Sequence, residues 1–107
     1  MVRLRVRKRY IAFKVLAAEQ YTKRAIFDAI NKSTLTLRDN HLPDKINLRL
    51  LEYDQQSGRG ILVCGHKMVD PVRQSISTII KIADKPVAIR VMGVSGTIRQ
   101  LYRKFMS

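Results

Sequence analysis

From its first residue the chain alternates apolar and basic positions. Val2, Leu4 and Val6 interleave with Arg3, Arg5 and Arg7; Ile11, Phe13 and Val15 then alternate with Ala12 and Lys14. A period of two predicts a strand with one apolar face. Its first residues are expected to fray, because five of the first nine are basic and chain ends are loosely held. Over EQYTKRAIFDAINKS the period lengthens: Tyr21, Ala25, Ile26, Ala29 and Ile30 recur at helical spacing, with Thr22 as the cap. The stretch TLTLRDNHLPD reads equally as helix continuation or loop, and Pro43 sets an end before it. Alternation returns in KINLRLLEYD, with Ile46, Leu48 and Leu50 on one side. DQQSG is a turn by composition and RGILVCGHK is another run of strand length, so the two runs read as a hairpin. In MVDPVRQSISTIIKIA, Asp70 is expected to cap a helix with Pro71 at its first position, and Val72, Ile76, Ile79, Ile80 and Ala83 form its stripe. DKP breaks it, and VAIRVMGV is the fourth strand: Val87, Ile89 and Val91 face one way, Ala88, Arg90 and Met92 the other.

The order β-α-β-β-α-β, followed by one more helix, predicts an α+β fold. It is the ferredoxin-like or RRM-like split βαβ sandwich, a four-stranded antiparallel sheet with helices on one face. The 107 residues suit one domain, spanning 1–107.

The ending, GVSGTIRQLYRKF, carries more than a docking stripe. On a helical wheel Ile98, Leu101, Tyr102 and Phe105 share one side, while Arg99, Arg103 and Lys104 fall away from it. Thr97 and Gln100 have the spacing of a capping box, and Gly93 and Gly96 are expected to let the chain turn sharply into the helix. A helix start reached through glycines presents N–H groups and a positive dipole end to an anion. A plain turn with a solvated basic face is the other reading of the same residues.

Charge decides what kind of partner to expect. Twenty-one Lys and Arg against eight Asp and Glu give +13, which points to a polyanion. No stretch reaches the ~18 apolar residues of a membrane span, and no segment reads as a secretory signal. The lone Cys64 allows no internal disulfide; together these predict a cytoplasmic protein.

An RNA-recognition sheet stacks bases on aromatic rings of its central strands. Here Arg59-Gly60 fits the start of such a motif, but Ile61 and Val63 stand where rings belong. With only four Tyr and three Phe in the chain, phosphates and shape are the expected targets rather than bases, and the apolar outer face of the sheet is left for a protein partner. The catalytic inventory is short. Cys64 and His66 are two apart on one strand and so are expected to share a face, and His41 is the only other imidazole, too few for a metal site. A ferredoxin-like phosphate-ester hydrolase of the acylphosphatase kind carries a glycine-rich loop after its first strand; LAAEQYT has no glycine.

The segments INLRLLEYDQQSGRGILVCGHKMVDPVRQSISTI and KPVAIRVMGVSGTIRQLYRKF, with the opening MVRLRVRKRYIAFKV, resemble ribonuclease P protein component 2, over nearly the whole chain. YDQQSGRGI and GVSGTIR are the most specific pieces; STLTLRDNHLPDK is the least family-like. The resemblance implies a noncatalytic subunit of an endoribonuclease whose RNA, using Mg²⁺ held by that RNA, removes the 5′ leader of precursor tRNA. It implies no cofactor on the protein. It implies as partners the ribonuclease P RNA, a TIM-barrel-like component 3 subunit, a second copy of this chain in a heterotetramer, and precursor tRNA as substrate. RNA contact is expected at Arg3, Arg5, Arg7, Lys8 and Arg9, and at Ser95, Gly96, Thr97, Arg99, Arg103 and Lys104. A ribosomal or assembly-factor protein is the alternative, and the small hydrolase is the third reading.

Overall fold

The structure, a computed structural model, describes residues 7–36 and 48–106. The expectations for Val2, Arg3, Leu4, Arg5 and Val6, for His41, Pro43 and Ile46, and for the side chain of Phe105 lie outside the described residues.

Strand β1 (Lys8–Leu16) carries the predicted alternation. Ile11, Phe13 and Val15 are buried in the main core, while Tyr10, Ala12 and Lys14 face the other way. Helix α1 (Lys23–Thr36) begins where Thr22 was expected to cap it: Thr22 Oγ1 accepts from the Ala25 N–H at 3.2 Å. Its Ile26 and Ile30 are fully buried. Strands β2 (Arg49–Tyr53) and β3 (Arg59–Gly65) form the predicted hairpin. Asp54 builds its turn, accepting from the Gln56 N–H (3.1 Å) and the Ser57 hydroxyl (3.0 Å). Gly58 takes φ +76°, a conformation in which a side chain is strained.

Three expectations for the following stretch need correction. Asp70 does not cap: a 3₁₀ turn over His66–Met68 feeds α2 (Val69–Ser77), so Asp70 and Pro71 are the second and third residues of its first turn. Proline is still tolerated there, since first-turn N–H groups have no intrahelical partner. The stripe also stops early. Val72 and Ile76 are buried on α2, but the helix ends at Ser77 and Ile80 is 68% exposed. Ala83 belongs to a small hairpin, β4 (Lys81–Ile82) and β5 (Lys85–Pro86), not to the helix. Its two turn residues, Ala83 (φ 52°) and Asp84 (φ 65°), are both left-handed, as a type I′ turn requires. Alanine is an unusual residue there, which is why composition did not signal the turn.

Strand β6 (Ala88–Ser95) completes a sheet of order β2-β3-β1-β6, with antiparallel neighbours throughout. This is the ferredoxin-like arrangement. Helices α1 and α2 cover one face, over a core that includes Phe13, Leu62, Ile26, Ile30 and Ile76. Each such side chain, fully buried, contributes ~1.5–3 kcal/mol of apolar transfer. Hydroxyls seam the helices together. Thr34 Oγ1 lies 2.9 Å from Ser75 Oγ, and Ser33 donates to the Ser75 carbonyl at 2.8 Å. Each buried hydroxyl also bonds its own helix, Thr34 to the Ile30 carbonyl and Ser75 to that of Val72.

The third helix lies on the opposite face. Helix α3 (Ile98–Leu101) runs on into a wider π-type turn over Tyr102–Met106. Leu101, fully buried, packs with Ala12 and Ile61, and Tyr10, Leu51 and Met92 surround them. The apolar outer face assigned from sequence to a protein partner is therefore covered in part by the chain's own ending. Bulges help to shape that face: Leu51 and Met92 are extra residues opposite β3 and β1, and both turn toward α3.

Candidate nucleic-acid interface

The register of β1 against β6 joins the two ends of the chain. Tyr10 stands opposite Ser95, so Lys8 and Arg9 lie beside the segment Ser95-Gly96-Thr97. A Cβ placed on Gly96 would be 3.8 Å from Arg9 Nη1. Arg9 donates to the Lys8 carbonyl at 3.0 Å, and the Arg7 carbonyl accepts the His66 N–H at 2.7 Å, which continues the ladder one residue beyond β1. Two groups of cations far apart in sequence thus border one patch. Arg3 and Arg5 fall outside the described residues.

A closed relay organises the start of α3. The Thr97 N–H donates to Ser95 Oγ (3.3 Å), the Ser95 hydroxyl to Gln100 Oε1 (2.9 Å), and the Gln100 N–H to Thr97 Oγ1 (3.2 Å). Half of the expected capping box is present; in the other half Ser95 stands between Thr97 and Gln100. Gly96 has no positive φ and sits in open space apart from Arg9, so the turn does not need its conformational freedom. Gly93 is also not in the turn: it lies within β6, opposite Ala12.

Arg99, Arg103 and Lys104 are exposed, as the wheel predicts. Its apolar side is narrower than expected. Leu101 docks, but Ile98 is 37% and Tyr102 39% exposed. The wheel assumed 3.6 residues per turn throughout, and the π-type turn after Leu101 rotates later residues away from that register. Tyr102 instead donates its hydroxyl to Glu52 Oε2; that hydrogen bond, then desolvation, raises the phenol's pKa.

The sheet offers no open stacking surface at its centre. Ile61 is buried beneath Leu101, and Phe13 faces the main core stacked on Tyr53, with centroids 6.3 Å apart at 12°. Cys64 and His66 part company: Cys64 is buried in the core, while His66 has left the strand and is exposed. Burial pushes the thiol up to about 11, far from the thiolate a nucleophile needs. Among the described residues no three His, Cys, Asp or Glu stand together as metal ligands, and no helix is long and apolar enough to cross a membrane. Sequence reasoning missed Lys14 and Arg90, which are directly opposite one another on the outer face and share a pocket with Lys104. Alternation turned each outward, but nothing in the sequence gives the register that pairs them.

A split-βαβ sheet, covered in part on its outer face by a basic terminal helix, defines a ferredoxin-like α+β domain. The Rpp14/Pop5 family model matches residues 9–106, and the chain belongs to that family. It is 38% identical over 104 residues to ribonuclease P protein component 2 of Pyrococcus furiosus, covering 97% of this chain and 87% of that one. It is 40% identical to the protein of the same name from Methanocaldococcus jannaschii, covering 96% and 75%. A chain in the cryo-EM structure of yeast ribonuclease MRP shares the fold, with TM-score 0.69 at 13% identity over 90% of this chain and 79% of that one.

Proposed function

We propose that this chain is a noncatalytic protein subunit of ribonuclease P, supporting a catalytic RNA that removes the 5′ leader of precursor tRNA. The observation that carries this reading is membership of the Rpp14/Pop5 family, with relatives named ribonuclease P protein component 2 aligned over nearly the whole chain. The charge of +13, the inert buried Cys64 and the basic patch at the joined chain ends all support it. In this reading Arg7, Lys8 and Arg9 on one side, and Arg99, Arg103 and Lys104 on the other, neutralise RNA phosphates. The relay through Ser95, Thr97 and Gln100 holds the start of α3 in place between them, and Gly96 leaves room for a backbone to approach. Mg²⁺ for the cutting step is held by the RNA, and the protein works in the cytoplasm. The partners are the RNA, the component 3 subunit, a second copy of this chain and, as substrate, precursor tRNA. Apolar surface around the exposed Ile80, in a groove between α1 and β4–β5, supports a protein contact.

The test is reconstitution of precursor-tRNA cleavage from the RNA with component 3, with and without this chain. Cleavage is expected to depend on the chain, and the chain without RNA is expected to cut nothing. In the same system Cys64→Ala with His66→Ala should leave cleavage within a few-fold. Arg99→Gln with Arg103→Gln should lower the log–log salt slope of RNA binding by about 2 if each meets one phosphate. Turnover by the chain without RNA, or cleavage indifferent to the chain, would overturn the proposal.

A further inference from the structure

Three cations stand in a row across the outer face of the sheet. Lys14 of β1 is directly opposite Arg59 of β3 on one side and Arg90 of β6 on the other. Gly60, next to Arg59, lies against the Phe13 ring on the core side, so alternation turns Arg59, Lys14 and Arg90 outward together. Lys14 and Arg90 also line a pocket of about 310 Å³ with Val91, Met92 and Lys104, the last reaching across from the terminal helical segment.

Like charges directly opposite one another on neighbouring strands destabilise a sheet. Among the described residues no carboxylate pairs with any of these four. The acid on that face, Glu52 opposite Ile61, is taken by the Tyr102 hydroxyl. Arg59 Nε is buried and has no hydrogen-bond partner. Three cations in register, a fourth above them and a guanidinium nitrogen without a partner together present donors suited to an anion.

We propose that Arg59, Lys14 and Arg90 form a second binding site for RNA backbone phosphates, bordered by Lys104, which it shares with the patch at the joined chain ends. The inference rests on the RNA-binding reading above and extends it to a site the family resemblance did not indicate. Three strands spread the row over ~10 Å, more donors than one phosphate takes. Lys8 has the same outward parity as Lys14, ~20 Å away along β1, so one backbone following that face meets both sites.

The experiment uses the full-length chain and its cognate ribonuclease P RNA, transcribed in vitro. The Lys14→Gln, Arg90→Gln variant should keep the parent's circular dichroism and lower the salt slope by about 1.5 to 2. This loss should add to that of the Arg99→Gln, Arg103→Gln variant, because no mutated residue belongs to both sites. If the parent does not bind the RNA, the RNA-binding reading itself fails. If the parent binds and the Lys14, Arg90 variant keeps its slope, only the second site is overturned. Saturable binding of inorganic phosphate at Lys14 and Arg90, followed by NMR, with an unchanged RNA slope would make this a free-anion site and also overturn the proposal. So would a variant that binds RNA like the parent but loses component 3, since the row would then answer carboxylates.

Discussion

Two glycines of similar appearance in sequence have opposite standing in the structure. A Cβ on Gly60 would lie 2.5 to 2.8 Å from three atoms of the Phe13 ring, deep in the core, so Gly60→Ala is expected to cost ~1–3 kcal/mol in urea denaturation. Gly96→Ala meets nothing nearer than Arg9 Nη1 at 3.8 Å and should stay within ~0.5 kcal/mol of the parent. Cys64 supplies a pH signature. Burial raises the thiol from 9.0 to about 11, so the unfolded state releases this proton first as pH rises. The contribution is intact below pH 9 and lost between 9 and 11, amounting to ~2–3 kcal/mol. Relative to Cys64→Ala, the parent should therefore lose stability across that window, as measured by denaturation at each pH.

At the scale of the element, the docking of the terminal helical segment can be tested at Leu101. Leu101 is the fully buried side chain of α3, and its bed is Ala12 and Ile61. Leu101→Ala should cost ~2–5 kcal/mol if the helix stays docked. If it detaches, amide hydrogen exchange over residues 98–106 should rise while the four strands remain protected. The relay at its start pulls the same way, since Ser95 bridges the Thr97 N–H to Gln100.

For the molecule as a whole, +13 is a repulsive load. The ion pairs Arg24–Asp28 (3.9 Å) and Lys85–Glu19 (2.5 Å) are exposed and relieve little of it. Raising NaCl from 50 to 500 mM should therefore raise the melting temperature of the free chain, while it weakens RNA binding. The opposite response of the two measurements separates repulsion within the fold from attraction to its partner. A melting temperature that falls with salt would contradict the first half.

Periodicity was sufficient for β1, α1, the β2–β3 hairpin and β6, because one buried face imposes a period of two or 3.6 on the residues that fill it. The order of those elements then allowed a single common topology. The end of α2 and the β4–β5 hairpin were not legible: Ile79 and Ile80 continue the stripe in sequence, but the backbone leaves the helix at Ser77, and the left-handed Ala83 gives no compositional sign. The basic ending was legible as helix and as cations. Its docking on the outer face was not, because nothing local says which side of a sheet a terminal helix will cover. Register is likewise a property of pairs. Sequence alone determined that Arg9, Lys14, Arg59, Arg90 and Arg99 exist at polar positions. Only the tertiary structure set Arg9 beside Gly96 and drew Arg59, Lys14 and Arg90 into one row, because strand pairing is decided by the shared core beneath them.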